Sequence, residues 1–183
     1  MPTTSLRRLV LLALLVRAGS AHAQDVPDLR IIDYGEYVVR REVGTLDPGL
    51  GAKTLTPVAT VDDPRFVNRT SRIEARLCRR FGIQFEAPNL DPVLTTRVTI
   101  RVTHPALVRP DGQSGEVDTW QSPITRTPSM AGYHLEKPWE LVPGTWTFAI
   151  LFGDRVLAEH SFEVVAAPGP GALAPGGCDV PVS

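Results

Sequence analysis

Three observations in this 183-residue chain predict a single all-β domain, an antiparallel immunoglobulin-like β-sandwich. Apolar residues recur at every second position, most completely at Trp146, Phe148, Ile150 and Phe152 and again at Val156, Ala158, Phe162 and Val164. Turn formers punctuate those runs, with 15 Gly and 17 Pro in the chain. Almost no stretch sustains a helical period. One-sided strands of this kind bury their oily faces by packing two sheets against each other.

The N-terminus reads as an address. Arg7 and Arg8 precede the short apolar run 9–16, and Ala21-His22-Ala23 offers the small residues a signal peptidase needs. Residues 1–23 are therefore expected to be a signal peptide cleaved before Gln24. The apolar run is too short to span a bilayer. Residues 24–165 form the expected sandwich, and 166–183 a Pro/Gly-rich tail that buries too little apolar surface to order itself.

Residues 29–39 are the first strand, with Gly35 marking a bulge or a close backbone approach. From Glu42 to Asn68 repeated Gly and Pro remove any period, so 42–68 is expected to be an irregular loop, with room for a short edge strand over 54–61. Residues 69–80 admit two patterns. Arg69, Arg72, Arg76 and Arg80 stripe a helix, while Ile73, Ala75 and Leu77 alternate with Arg72, Glu74 and Arg76 as a strand does. The neighbouring strands favour the second.

Phe81, Ile83 and Phe85 share one face of the next strand. Residues 95–105 alternate most cleanly, Val98, Ile100 and Val102 inward, and Pro105 is expected to stop them, with His104 capping the strand end. Pro110-Asp111-Gly112 is a turn, followed by short strands over 118–125 and 133–137. The last element is a hairpin over 140–165. A two-residue turn at Gly153-Asp154 sets Phe148 against Glu159, whereas a three-residue loop including Arg155 sets Phe152 against Val156, Ile150 against Ala158 and Trp146 against Phe162. The longer loop is expected because it keeps the face apolar.

Loss of the signal removes three of the 19 basic residues and none of the 20 acidic ones, a net charge of −4, which argues against nucleic acid as partner. Both cysteines, Cys78 and Cys178, lie in the mature part, and an even count in an exported chain favours a disulfide between them over free thiols or pairing with another protein.

Chemistry is sparse. His104, His134 and His160 lack metal-ligand spacing, and no Ser sits in Gly-x-Ser-x-Gly. The acidic segment 111–118 lacks the ligand alternation of a calcium loop. Asn68-Arg69-Thr70 matches a glycosylation acceptor. No catalytic, metal or cofactor residue is expected, and the chain is not expected to be an enzyme. The best binding surface combines Trp139 and Trp120 as flat platforms with Arg72, Arg76, Arg79 and Arg80 as anion-gripping forks. Trp146 is in phase with the core. His160 is expected on the sheet face shared with Phe148.

The segments 80–85, 98–105, 110–112 and 157–162, with Tyr133 and above all Glu140-Leu-Val-Pro-Gly-Thr-Trp-Thr-Phe148, resemble the successive landmarks of a bacterial family of exported proteins known as a domain of unknown function, number 3859. The likeness runs from about Asp33 to Val165. It implies an exported, envelope-associated β domain, periplasmic or secreted, without implying a reaction or a ligand. The expected role is non-catalytic binding of another cell-envelope protein, with a carbohydrate-binding or polysaccharide-associated module as the alternative.

Overall fold

The structure is a computed structural model that describes residues 26–46, 58–91, 93, 95–168 and 178. The expected signal segment, residues 1–23, and nearly all of the Pro/Gly-rich tail lie outside them. The described residues form β1 (Arg30–Val38), β2 (Arg41–Leu46), β3 (Val58–Asp62), β4 (Arg65–Asn68), β5 (Arg72–Ala75), β6 (Arg80–Glu86), β7 (Thr96–Val108), β8 (Ser114–Ile124), β9 (Ser129–His134), β10 (Gly144–Phe152) and β11 (Arg155–Ala166). A four-stranded sheet, β4-β1-β6-β9, packs on a five-stranded sheet, β5-β11-β10-β7-β8. Two short connections join the sheets at opposite flanks, residues 69–71 between edge strands β4 and β5 and residues 125–128 between β8 and β9. The sandwich is antiparallel except at β5, which runs parallel to β11.

Period-two amphipathy places the core. Phe81, Ile83 and Phe85 from one sheet and Val98, Ile100, Val102, Trp146, Phe148, Ile150, Phe162 and Val164 from the other are all buried. Phe81 sits at the centre, its ring edge-to-face with Phe162 at 5.2 Å and with Trp146 and Phe148 at 5.8 Å each. Such pairs add about 0.5–1.5 kcal/mol each to the burial term. Phe81 is thus the contact by which one sheet keys into the organising hairpin of the other.

Several expectations are corrected. The region 42–68 is not one irregular loop: β2 and β3 pair antiparallel, Arg41 opposite Asp62 and Leu46 opposite Val58, and β4 follows. The short edge strand for which 54–61 left room overlaps β3, whereas β2 and β4 were not expected, because repeated Gly and Pro hide the local pattern and the pairing joins residues distant along the chain. Residues 69–80 do choose the strand over the helix, but β5 ends at Ala75, and the chain crosses to the other sheet through a turn in which Cys78 holds φ +66°. Leu77 belongs to that turn.

Pro105 does not stop β7, which runs on to Val108. The ladder with β8 shifts register between Thr103 and Leu107, and at such an irregularity a residue without N–H costs no hydrogen bond. Gly144 makes room for the ring, since a Cβ there would lie 2.5 Å from Pro105 Cγ. Strand β8 starts earlier than expected and β9 spans 129–134 rather than 133–137.

The hairpin register is half as expected. Trp146 faces Phe162 and Ile150 faces Ala158, yet Phe152 faces Arg155, not Val156. The turn has two residues, Gly153 supplying φ +58°, and a bulge between Ile150 and Leu151 absorbs the extra residue on β11. Val156 consequently leaves the apolar face and is 39% exposed.

Gly35 is a close approach, as expected. It lies opposite Gly82, which lies opposite Gly132, a glycine row across three strands. A Cβ on Gly35 would meet Asn68 O at 2.1 Å, and one on Gly132 would meet the Tyr37 hydroxyl at 2.5 Å. Of the three, Gly132 leaves the space that the Tyr37 ring fills.

Candidate functional site

The sequence-predicted surface is not assembled. Trp120 is buried in the core and offers no platform. Trp139 is half-buried against the core in the 3-10 turn Pro138–Glu140, with the Arg109 guanidinium 5.9 Å from its ring centre. That cation lies over one face of the indole.

The arginines lie along one flank, each beside an acid where a partner is recorded. Arg72 pairs with Glu163 at 3.1 Å, Arg76 with Glu74 at 2.6 Å and Arg79 with Glu36 at 3.2 Å. The hydrogen bond from Arg76 holds the Glu74 carboxyl below the usual range. Arg80 lies opposite His134 across β6 and β9. These are surface pairs of small individual worth, and they leave less charge for a ligand than the sequence suggests.

The disulfide forms: Cys78 and Cys178 are bonded, with Cα atoms 4.9 Å apart across 100 residues of sequence. Beside it lies a groove of about 190 Å³ lined in part by Val38, Val67, Leu77, Arg76, Arg79 and Arg80. Small-molecule sites usually exceed about 300 Å³. The groove suits one or two aliphatic side chains.

Sequence reasoning missed two buried polar groupings. His104 does not cap a strand end: its Nε2 lies 3.1 Å from Asp118 Oδ2 and its Nδ1 2.8 Å from Pro105 O, with both side chains fully buried. A carbonyl oxygen only accepts, so Nδ1 donates to it. Asp118 points inward from edge strand β8, an arrangement that discourages edge-to-edge pairing there.

In the second grouping, Tyr133 donates to Glu140 Oε1 at 3.1 Å, and the amides of Glu136 and Lys137 donate to Oε2 at 2.7 Å each. Burial pushes the Glu140 carboxyl up against those three bonds, and burial beside Glu140 also pushes the Tyr133 phenol up. Trp146 stacks between the groupings, 4.9 Å from His104 and 4.8 Å from Tyr133. No surface opens onto either, so their chemistry is structural. The signal in the sequence was Asp118 at an inward position of an alternating strand.

His160 shares the face of Phe148, as expected, and lies opposite it. Its ring stacks on Tyr34 of the other sheet at 4.0 Å, and Nε2 is 3.0 Å from Ser71 Oγ. Burial lowers its pKa. A serine beside a histidine has the two members of a nucleophilic dyad, but Tyr34 covers the ring face and, among the described residues, no carboxylate orients the ring. Among the described residues no group of three His, Cys, Asp or Glu could hold a metal ion.

A family model described as "Domain of unknown function (DUF3859)" matches residues 26–164. The chain belongs to this family. The DUF3859 fold is also seen in a crystal structure at 1.50 Å of an immunoglobulin-like protein from Pseudomonas aeruginosa, 24% identical, with a TM-score of 0.52 over 75% of this chain and 96% of that one. At that identity the likeness establishes an immunoglobulin-like fold and nothing about activity. No curated protein matches the chain. Among the described residues no helix is long and apolar enough to cross a membrane.

The backbone feature that stands apart is the ribbon β2–β3. It continues the β1–β4 ladder outward, Val38 opposite Arg65 and then Arg41 opposite Asp62, but joins neither main sheet. Among the described residues neither of its outer edges has a strand partner.

Proposed function

We propose that this chain is a non-catalytic, exported binding module that engages another cell-envelope protein through the ribbon β2–β3. The carrying observation is that, among the described residues, β2 and β3 pair with each other and with no third strand. Two-stranded ribbons are marginally stable alone, and a third strand added at either edge supplies the missing main-chain hydrogen bonds. Export is supported by the Arg7-Arg8 and Ala21-His22-Ala23 signal pattern and by a disulfide, a bond that persists in oxidising compartments. This reading places the protein in the periplasm or outside the cell. The polysaccharide alternative loses its platforms with Trp120 in the core and Arg109 against Trp139.

The test replaces residues 42–61 by a two-residue Asn-Gly turn between Arg41 and Asp62, which stand opposite each other. Immobilised mature chain should retain an envelope protein that the shortened chain does not, without competition from envelope polysaccharide. Equal retention by both chains, or release by polysaccharide, refutes the reading. Urea melts of the two chains confirm that the sandwich survives the replacement.

A further inference from the structure

We propose that two copies of this chain pair face to face through the outer surface of the five-stranded sheet, a contact separate from the ribbon β2–β3. The alternation that sends Ile100, Val102, Phe148 and Ile150 into the core turns Arg101 on β7 and Ala149 on β10 outward, and Glu159 on β11 with them. These three form one row across the sheet, since Ala149 lies opposite both Arg101 and Glu159. Among the described residues neither charge has an ion-pair partner. They stand two strand spacings apart, roughly 10 Å at about 4.8 Å each, on either side of a single methyl group.

Symmetry selects the occupant. A two-fold axis lying in the contact plane along β10 carries Arg101 of one protomer over Glu159 of its partner, and the reverse, so that two ion pairs form from four unpaired charges. Ala149 meets Ala149 at the axis, and its small side chain lets the sheets approach. The same operation sets Ser161 against Thr103, hydroxyl against hydroxyl, and Val156, 39% exposed, against the methyl of Thr99. An axis across the strands instead puts Arg101 on Arg101 and Glu159 on Glu159, which repulsion disfavours.

Charge excludes simpler partners. A polyanion reaching Arg101 meets Glu159 in the same row, and a basic partner reaching Glu159 meets Arg101. A surface carrying both signs in the reverse order fits, and a second copy turned over is such a surface. The five strands and residues 145–151 of β10 give a footprint of roughly 400 Å², at about 4.8 Å between strands and about 3.4 Å between residues. Standard interfaces bury about 800 Å² per partner, so this pairing is weak and depends on concentration.

Sedimentation equilibrium tests the pairing. The mature chain should show a dimer that dissociates on dilution. Arg101→Glu and Glu159→Arg should each weaken it by at least about tenfold, since each substitution sets like charges opposite each other. An equimolar mixture of the two variants should restore association, because both ion pairs form again in the mixed dimer. A chain shortened across 42–61 should dimerise as the wild type does, which separates this result from the fate of the ribbon. A wild type that stays monomeric up to its solubility limit would overturn the proposal. So would single variants as tight as the wild type, a mixture that stays monomeric, or loss of the dimer on shortening.

Discussion

Glu140 shows how one buried side chain can hold a corner. Its two oxygens accept from Tyr133, Glu136 and Lys137, and it is 2% exposed. Glu140→Ala leaves two amides and a phenol without that acceptor, so urea unfolding should show a loss of about 2–4 kcal/mol, at roughly 1–3 kcal/mol per orphaned buried group and with partial rescue by water. Glu140→Gln keeps an accepting oxygen and should lose less than half as much. Equal losses would mean that the negative charge, not the geometry, matters. His160 supplies a pH effect. Its folded pKa lies below the ordinary 6.5, so the unfolded chain binds the proton more tightly. Stability is therefore full above 6.5 and falls as pH drops from there toward the lowered folded value. His160→Gln should flatten the stability profile in that window, measured by urea midpoints against pH; an unchanged slope would assign the acid sensitivity elsewhere.

At the scale of the element, Gly132 in β9 decides whether the Tyr37 ring of β1 can lie where it does. Gly132→Ala places a methyl where the Tyr37 ring lies, and overpacking of this kind costs about 1–3 kcal/mol. Tyr37→Leu in the same background should recover part of the loss, and a double-mutant cycle by chemical denaturation reads the coupling. Additive losses would show that the two positions do not communicate. Period two made the buried faces of β6, β7 and β10 legible, because burial on one side writes itself into alternate residues. The bulge on β11 was not legible. A bulge adds one residue without changing composition, and the choice between a two-residue turn with a bulge and a three-residue loop lies in backbone geometry. The same holds for Pro105 within β7, where a local register shift removed the penalty the residue normally imposes.

Across the whole molecule, one covalent bond links the turn after β5 to the tail. A loop of 100 residues closed by a disulfide constrains the unfolded chain by about 4–5 kcal/mol in the chain-entropy estimate. Cys78→Ser with Cys178→Ser should lower unfolding stability by several kcal/mol, and reductant should lower the wild type to the same level while leaving the variant unmoved. A variant as stable as the oxidised wild type would remove the disulfide from the stability account. An even count of two cysteines in a chain read as exported made this bridge legible. The surface was not: tryptophans and arginines chosen for their chemistry were scattered by the fold into a core position, a capped indole and a series of ion pairs.

By itself the sequence determined the class of architecture, the inward residues of the principal strands and the hairpin partners Trp146–Phe162 and Ile150–Ala158, since each follows from alternation along a short stretch. Only the tertiary structure decided that β5 lies parallel to β11, that β2 and β3 form a separate ribbon, and that His104 meets Asp118. Those outcomes depend on contacts between residues distant along the chain or on which strands become neighbours. A local pattern records whether a side chain is buried, not which side chain it meets there.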